Sequence, residues 1–185
     1  MSTTVPVSTR RLILRHLRDT DAAPLAAYRS DPEVARYQGW GAVFSGLQAQ
    51  GLVASMAGRE PGQPGWFQIA LERREDGALI GDLGLNTVST GQAEIGFTLA
   101  RAAQGQGYAR EAVSALLDLC FGALGLHRVV AGTDPRNLRS AALLRRLGFR
   151  HEGRFVESYL DGAVWQDEDR HALLAREWRP ASPAS

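Results

Sequence analysis

The chain has 185 residues, 44% of them hydrophobic, and its 21 basic and 20 acidic side chains leave a net charge of +1 at pH 7. This length suits one domain around a single core, and a balanced charge without a basic block argues against a nucleic-acid-binding protein. Its one cysteine, Cys120, excludes an internal disulfide, and without an apolar run of ~20 residues or a signal-peptide pattern the chain is expected to be cytoplasmic, with no membrane contact.

The first third of the chain predicts one strand and several short helices. Residues 12–17 alternate well enough for a strand, and acidic side chains can then cap a helix over residues 19–28. A second, shorter helix is predicted at residues 32–37. The glycine-rich stretch 38–51 has no clear period, so only a weak helix is indicated near its end.

The middle of the chain predicts an antiparallel meander. Residues 66–72 and 78–88 are two apolar-rich strands, and the Asp76-Gly77 pair between them is a typical hairpin signal. A third strand follows at residues 93–99. These three strands lead directly into the most informative part of the sequence.

That part is a strand, a glycine-rich turn and a long amphipathic helix without interruption. The turn holds Gly105 and Gly107, and the helix at residues 109–124 has apolar side chains at a helical period for about four turns. Glycines at the start of a helix leave backbone N–H groups free to bind phosphate oxygens, helped by the helix dipole. The spacing fits neither a P-loop nor a dinucleotide fingerprint.

The last third predicts a strand, a helix and a hairpin. A strand at residues 127–132 returns parallel to the one at 93–99 through a crossover, which makes the sheet mixed. Asn137 can cap a helix over residues 137–147. The final strands are predicted at residues 149–159 and 164–174. The pattern indicates an α/β (α+β) fold in one domain.

Residues 104–109 fit the motif Gln/Arg-x-x-Gly-x-Gly/Ala, and the chain resembles the GCN5-related N-acetyltransferases (GNAT), in particular their RimJ/RimL-like branch. Further matches lie at residues 9–15, 107–112, 137–140 and 147–149. The resemblance covers residues 9–178, which leaves 1–8 and 180–185 as flexible termini. It implies a mixed central sheet with an antiparallel N-terminal meander, a splayed parallel pair at the coenzyme A site, and helices on both faces.

The resemblance also implies a binding site for acetyl-CoA as co-substrate. The pyrophosphate would be held by the loop residues Gln104, Gly105, Gln106, Gly107, Tyr108, Ala109 and Arg110. The pantetheine arm would pair with the backbone of Phe97, Thr98 and Leu99, with an N–H near Phe97 as oxyanion donor, and Asn137 would contact the arm. No metal is expected, because the four histidines lack metal-ligand spacing.

Two side chains are candidates for the proton transfers. Glu94 stands where related proteins place a carboxylate that removes the proton of the amine, although a solvent-facing glutamate is an equal interpretation. The tyrosine acid of many relatives is replaced here by Leu144, and the branch resembled suggests Ser140 as the acid; the alternative is an ordinary first-turn helix serine. Weaker candidates in the last strands are His171, Tyr159 and Glu157.

The resulting hypothesis is an enzyme that moves an acetyl group from acetyl-CoA to an amine by direct attack in a ternary complex. The acceptor would be a protein N-terminal α-amine or a small-molecule amine. Two alternatives stay open: a coenzyme A binding or sensing module without catalysis, and a transferase that uses another donor such as succinyl-CoA. The sequence is also compatible with a homodimer.

Overall fold

The computed structural model describes residues 5–41 and 43–180, which form one mixed sheet with helices against it. Its strands are β1 (Val7–Ser8), β2 (Leu12–His16), β3 (Gly65–Arg73), β4 (Leu79–Ser89), β5 (Gln92–Leu99), β6 (Arg128–Thr133), β7 (Arg150–Asp161) and β8 (Val164–Leu174). Its helices are α1 (Ala22–Arg29), α2 (Pro32–Ala35), α3 (Gly46–Ser55), α4 (Tyr108–Phe121) and α5 (Leu138–Arg146), with 3-10 turns at Asp19–Asp21, Arg101–Ala103 and Ala175–Glu177. The strand order across the sheet is β1-β2-β3-β4-β5-β6-β8-β7.

Strands β5 and β6 are the parallel neighbours in this sheet, and the other described neighbours are antiparallel. The mixed sheet and the antiparallel meander are therefore confirmed. The parallel pairing covers only residues 92–94 of β5, opposite residues 128–130 of β6. From Ile95 onward the two strands have no described pairing, which is the splayed pair that the family resemblance implies.

Helix α4 covers one face of the sheet. Its apolar stripe is fully buried at Ala112, Val113, Leu116, Leu117 and Cys120. Each buried leucine of this stripe contributes about 1.5–3 kcal/mol of hydrophobic stabilisation. The helix ends near Phe121, three residues before the predicted end, because Gly122 and Gly125 follow and the latter adopts a left-handed φ of 59°.

The opposite face carries α1 and α3. Side chains alternate along β4, so Leu83 and Leu85 join the α4 side of the core while Asp82 points the other way. There Tyr28 and Arg29 of α1 reach the Asp82 carboxylate. Helices on both faces are thus confirmed.

The N-terminal boundary differs from the prediction. Residues 5–8 belong to the sheet rather than to a flexible end, since Val5 is 2% exposed and Val7–Ser8 pairs with β2. A strand of two residues is too short to show a period, so the sequence carries no signal for it. Of the flexible ends predicted at residues 1–8 and 180–185, residues 1–4 and 181–185 lie outside the described residues. No helix in the described ranges is long and apolar enough to cross a membrane.

Strand β7 forms one edge of the sheet and is irregular. Its register against β8 shifts between Phe155 and Tyr159. Within this bulge Glu157 takes a left-handed φ of 46°, and its N–H donates to Asp167 Oδ1 at 2.8 Å. Phe155 and Val156 beside it are exposed. The bulge therefore interrupts the edge strand next to two exposed apolar side chains.

Candidate active site

A cleft of about 280 Å³ opens where β5 and β6 separate. The sequence-predicted residues Glu94, Phe97, Asn137, Ser140 and Tyr159 all line it. Strand β5 supplies Glu94 and Phe97, and strand β7 supplies Tyr159. Asn137 is the N-cap of α5, and Ser140 lies in its first turn. Residues distant in sequence thus meet where neighbouring strands inside the sheet leave their facing edges unpaired.

The glycine-rich loop lies at the other end of β5. Gly105 and Gly107 have φ values of 74° and 82°, a region that favours glycine, and Gly107 is the N-cap of α4 without a side-chain cap. The first N–H groups of this 14-residue helix are therefore available to an anion. Gln104 and Gln106 direct their amides inward, to Leu99 O at 3.1 Å and Ala102 O at 2.7 Å. Their side chains hold the loop, so an anion would meet their backbone.

A network that sequence reasoning missed fixes this loop to β2. Glu111 in the first turn of α4 accepts from the Thr9 hydroxyl at 2.6 Å and from Arg11 N and Nε at 2.7 Å each. Burial alone would raise the pKa of Glu111, but these hydrogen bonds outweigh it and lower the pKa. Arg11 also donates to Gln106 O at 2.9 Å and lies 4.3 Å from the Tyr108 ring centroid. Tyr108 is buried, so its predicted contribution to phosphate binding is its backbone N–H.

Glu94 is a half-buried carboxylate that lines the cleft. Burial raises its pKa above the ordinary value, the Arg170 guanidinium lowers it, and the Glu168 carboxylate raises it again. The closest approach of Arg170 Nη1 to Glu94 Oε1 is 3.6 Å, while Arg170 Nε pairs with Glu168. A carboxylate with a raised pKa accepts protons more readily near neutrality.

Helix α5 begins at the cleft. Asn137 caps it by accepting from Ser140 N at 3.2 Å, as predicted from the sequence. The Asn137 oxygen is used by the cap, which leaves its amide N–H groups for a ligand. Ser140 lines the cleft, whereas Leu144 is fully buried in the core and cannot replace a tyrosine acid.

The weaker candidates separate in space. Tyr159 lines the cleft, and burial followed by the Asp134 carboxylate raises its pKa. His171 is 5% exposed and bonds through Nε2 to Thr133 Oγ1 at 3.1 Å, so Thr133 stands between it and the cleft. Glu157 is exposed on the β7 bulge and is not among the described residues that line the cleft. Thr133 was missed because a lone threonine at a strand end carries no sequence signal.

The described residues contain no group of three His, Cys, Asp or Glu side chains that could hold a metal ion. Cys120 is buried on the apolar stripe of α4, and burial raises its pKa to about 12. The polar groups that line the cleft include carboxylates, hydroxyls, the amides of Gln38 and Asn137, and backbone N–H groups.

The family model described as an acetyltransferase (GNAT) domain matches residues 11–150. An uncharacterised N-acetyltransferase, p20 of Bacillus licheniformis, is 36% identical over 173 residues, 92% of this chain and 96% of its own. The [ribosomal protein uS5]-alanine N-acetyltransferase of Escherichia coli is 29% identical over 186 residues, 95% and 94% of the two chains. The structure of Mycobacterium smegmatis RimJ in complex with CoA-disulfide superimposes with a TM-score of 0.79 at 25% identity, covering 96% of this chain and 91% of that one.

Proposed function

The chain belongs to the GNAT acetyltransferase family and is an N-acetyltransferase, and from this premise we propose that it transfers the acetyl group of acetyl-CoA to the α-amine of a protein N-terminus. The observation that carries the proposal is the cleft at the β5–β6 separation, which lies between an uncapped helix N-terminus and a half-buried carboxylate. The helix N-terminus can bind the phosphates of a thioester donor, and the carboxylate can take a proton from an amine acceptor.

The donor side is supported by the loop and by β5. The N–H groups at the start of α4 suit the pyrophosphate of acetyl-CoA, and Gly107 lets the phosphate approach bare backbone. Beyond Glu94, β5 has no β6 partner in the described residues, so its backbone groups can pair with the amides of a pantetheine arm. An N–H at Phe97 would then face the thioester oxygen, and Asn137 would hold the arm from α5.

The acceptor side is supported by charge. Glu94 and Glu168 both line the cleft, and carboxylates attract an amine that arrives protonated. Glu94 takes a proton from this ammonium, which leaves a neutral nucleophile. A terminal α-amine with a pKa near ~8 is easier to neutralise than a lysine side chain near ~10.4, so a carboxylate base suits the α-amine.

The reaction then proceeds by direct attack. The amine nitrogen forms a bond to the thioester carbon, and the oxygen gains negative charge that the Phe97 N–H stabilises. The carbon–sulfur bond breaks and the coenzyme A thiolate leaves while the Ser140 hydroxyl in the cleft donates a hydrogen bond to it, and the proton that the amine nitrogen loses ends on the sulfur. The α-amine acceptor is also supported by the E. coli relative, whose name states acetylation of an alanine of a ribosomal protein.

An acceptor screen by mass spectrometry tests this function. Peptides with free N-terminal alanine or serine, the same peptides with a blocked N-terminus and an internal lysine, and spermidine are incubated with acetyl-CoA or succinyl-CoA in parallel. We expect one acetyl group on the free N-termini. Modification of spermidine alone would show that the acceptor is a small amine. A faster reaction with succinyl-CoA than with acetyl-CoA would show that succinyl-CoA is the donor. Coenzyme A binding without turnover on any acceptor would support the sensing module.

A further inference from the structure

The hydroxyl of Thr133 has an imidazole directly behind it. Thr133 ends β6 and lines the cleft, and His171 on the neighbouring strand β8 lies with Nε2 at 3.1 Å from Thr133 Oγ1. Both side chains are buried, at 7% and 5% exposure. The Thr133 hydroxyl, which lines the cleft, is thus hydrogen-bonded to the His171 imidazole, which does not line it.

The surroundings of His171 suit an imidazole that starts neutral. Burial is the main cause that lowers the pKa of His171, and neighbouring His151 acts in the same direction. The Asp169 carboxylate acts against this shift, so it can stabilise a transient imidazolium. Asp169 itself pairs with Arg154 and, at 3.3 Å, with His151 Nε2. The ring of His151 lies 5.3 Å from that of His171 and is half exposed.

Thr133 and Glu94 approach the cleft from opposite faces of the sheet. Glu94 is paired with Val130 of β6, and paired residues share a face. Thr133 is three residues beyond Val130, so alternation turns it to the other face, where α5 brings Asn137 and Ser140. Glu94 and Thr133 therefore occupy different positions in the cleft.

We infer that Thr133 and His171 form a proton shuttle that carries the proton of the attacking amine to the departing thiolate. This inference rests on the proposed acetyl transfer. When the neutral amine attacks, its nitrogen becomes positively charged and passes a proton to Thr133 Oγ1, while the Thr133 proton passes to His171 Nε2. The carbon–sulfur bond then breaks, and the imidazolium returns a proton through Thr133 to the sulfur. One proton moves from nitrogen to sulfur, so the step needs no outside acid or base.

The chemistry favours this pair over a hydroxyl alone. A serine or threonine hydroxyl can relay a proton but cannot store one near neutrality, whereas an imidazole can. Glu94 still removes the first proton, from the ammonium form of the acceptor. Ser140 then assists by hydrogen bonding to the sulfur, and Thr133 relays to the sulfur the proton that His171 returns.

Three variants and two matched controls test the shuttle. Thr133→Val removes the hydroxyl at constant shape, and Thr133→Ser restores it. His171→Gln keeps a hydrogen-bond partner for Thr133 but cannot take up a proton. Thr87→Val is the control for the threonine, because Thr87 Oγ1 on β4 is buried without a hydrogen-bond partner in the described structure. His127→Gln, at an exposed position, is the control for the histidine.

We expect Thr133→Val and His171→Gln each to lower kcat about 100-fold, with KM for acetyl-CoA nearly unchanged. Thr133→Ser should recover most of kcat, and the double variant Thr133→Val/His171→Gln should be no slower than either single variant, since both remove one pathway. A purely structural pair would instead shift the melting temperature and KM together.

The inference is overturned if Thr133→Val turns over like Thr87→Val while the wild type is active, or if the two substitutions multiply in kcat. Equal loss in Thr133→Ser and Thr133→Val would also overturn it. A wild type without turnover on any amine would remove the proposed function and the shuttle together, so the two failures are distinguishable.

Discussion

Arg29 and Asp82 form an ion pair inside the protein, with Arg29 Nη2 donating to Asp82 Oδ2 at 2.5 Å. The two side chains are 5% and 2% exposed and belong to α1 and β4. The guanidinium also lies 4.3 Å from the Trp40 ring and 4.9 Å from the Phe44 ring. Trp40 Nε1 closes the arrangement by donating to Arg29 O at 3.1 Å. The segment that supplies Tyr37 to the cleft is therefore fixed to the sheet through one arginine.

Replacing Arg29 by methionine should cost about 3–5 kcal/mol of unfolding free energy, because Asp82 then stays buried without its cation. Urea unfolding measures this change. Adding Asp82→Leu should recover part of the loss, since the unpaired charge is gone. Arg29→Lys keeps the charge but not the planar stacking on Trp40, so it should raise KM for the acceptor more than KM for acetyl-CoA. Equal changes in KM for the acceptor and KM for acetyl-CoA would contradict a specific link between Arg29 and acceptor binding.

Gly107→Val should weaken coenzyme A binding about 100-fold, the effect of losing one or two charge-assisted hydrogen bonds to phosphate. The valine would be strained at a φ of 82° and would place its Cβ 3.3 Å from Arg11 Nη2, so that the Arg11 side chain must shift slightly. Calorimetric titration with coenzyme A gives the dissociation constant. Gly162→Val, with a φ of 61° and open space in the β7–β8 turn, carries similar strain away from the site. An equal dissociation constant in both variants would remove the pyrophosphate assignment.

Glu94→Gln should lower kcat/KM about 100-fold at neutral pH. It should also remove the fall of kcat/KM on the acid side of the pH–rate profile, the acid limb. A base works only when deprotonated, so activity should rise with pH through the pKa of Glu94, which burial raises above the ordinary carboxylate value. Because Arg170 lowers this pKa and Glu168 raises it, Arg170→Met should move the limb to higher pH and Glu168→Gln to lower pH. A pH–rate profile that is the same in wild type and Glu94→Gln would show that Glu94 is not the base.

Ser140→Ala should reduce kcat only about 10-fold, because it removes a hydrogen bond to the sulfur and a coenzyme A thiolate with a pKa near ~8.5 already leaves readily. KM for acetyl-CoA should change little, and Ser140→Cys should retain more activity than the alanine. Ser89→Ala, at an exposed strand end, is the matched control. Full activity in Ser140→Ala together with loss in Tyr159→Phe would show that the hydroxyl that assists the departing sulfur is Tyr159 of β7.

Local patterns predicted the elements, whereas the connections between them were out of reach. The stripe of α4, the glycines at 105 and 107 and the Asn137 cap depend on neighbours a few residues apart, which a sequence displays directly. The Thr133–His171 bond spans 38 residues, the Arg29–Asp82 pair 53, and the Arg11–Glu111 pair 100. Nothing at either end of such a contact identifies its partner.

The bulge in β7 also decides how this protein meets its own copies. A straight, apolar edge strand invites a second molecule to add its own edge, and repetition of that contact builds filaments. The register shift between Phe155 and Tyr159 and the left-handed φ of Glu157 make this edge irregular midway along the strand. Phe155 and Val156 can thus stay at the surface without an edge that propagates from molecule to molecule. The irregularity acts as protection against polymerisation.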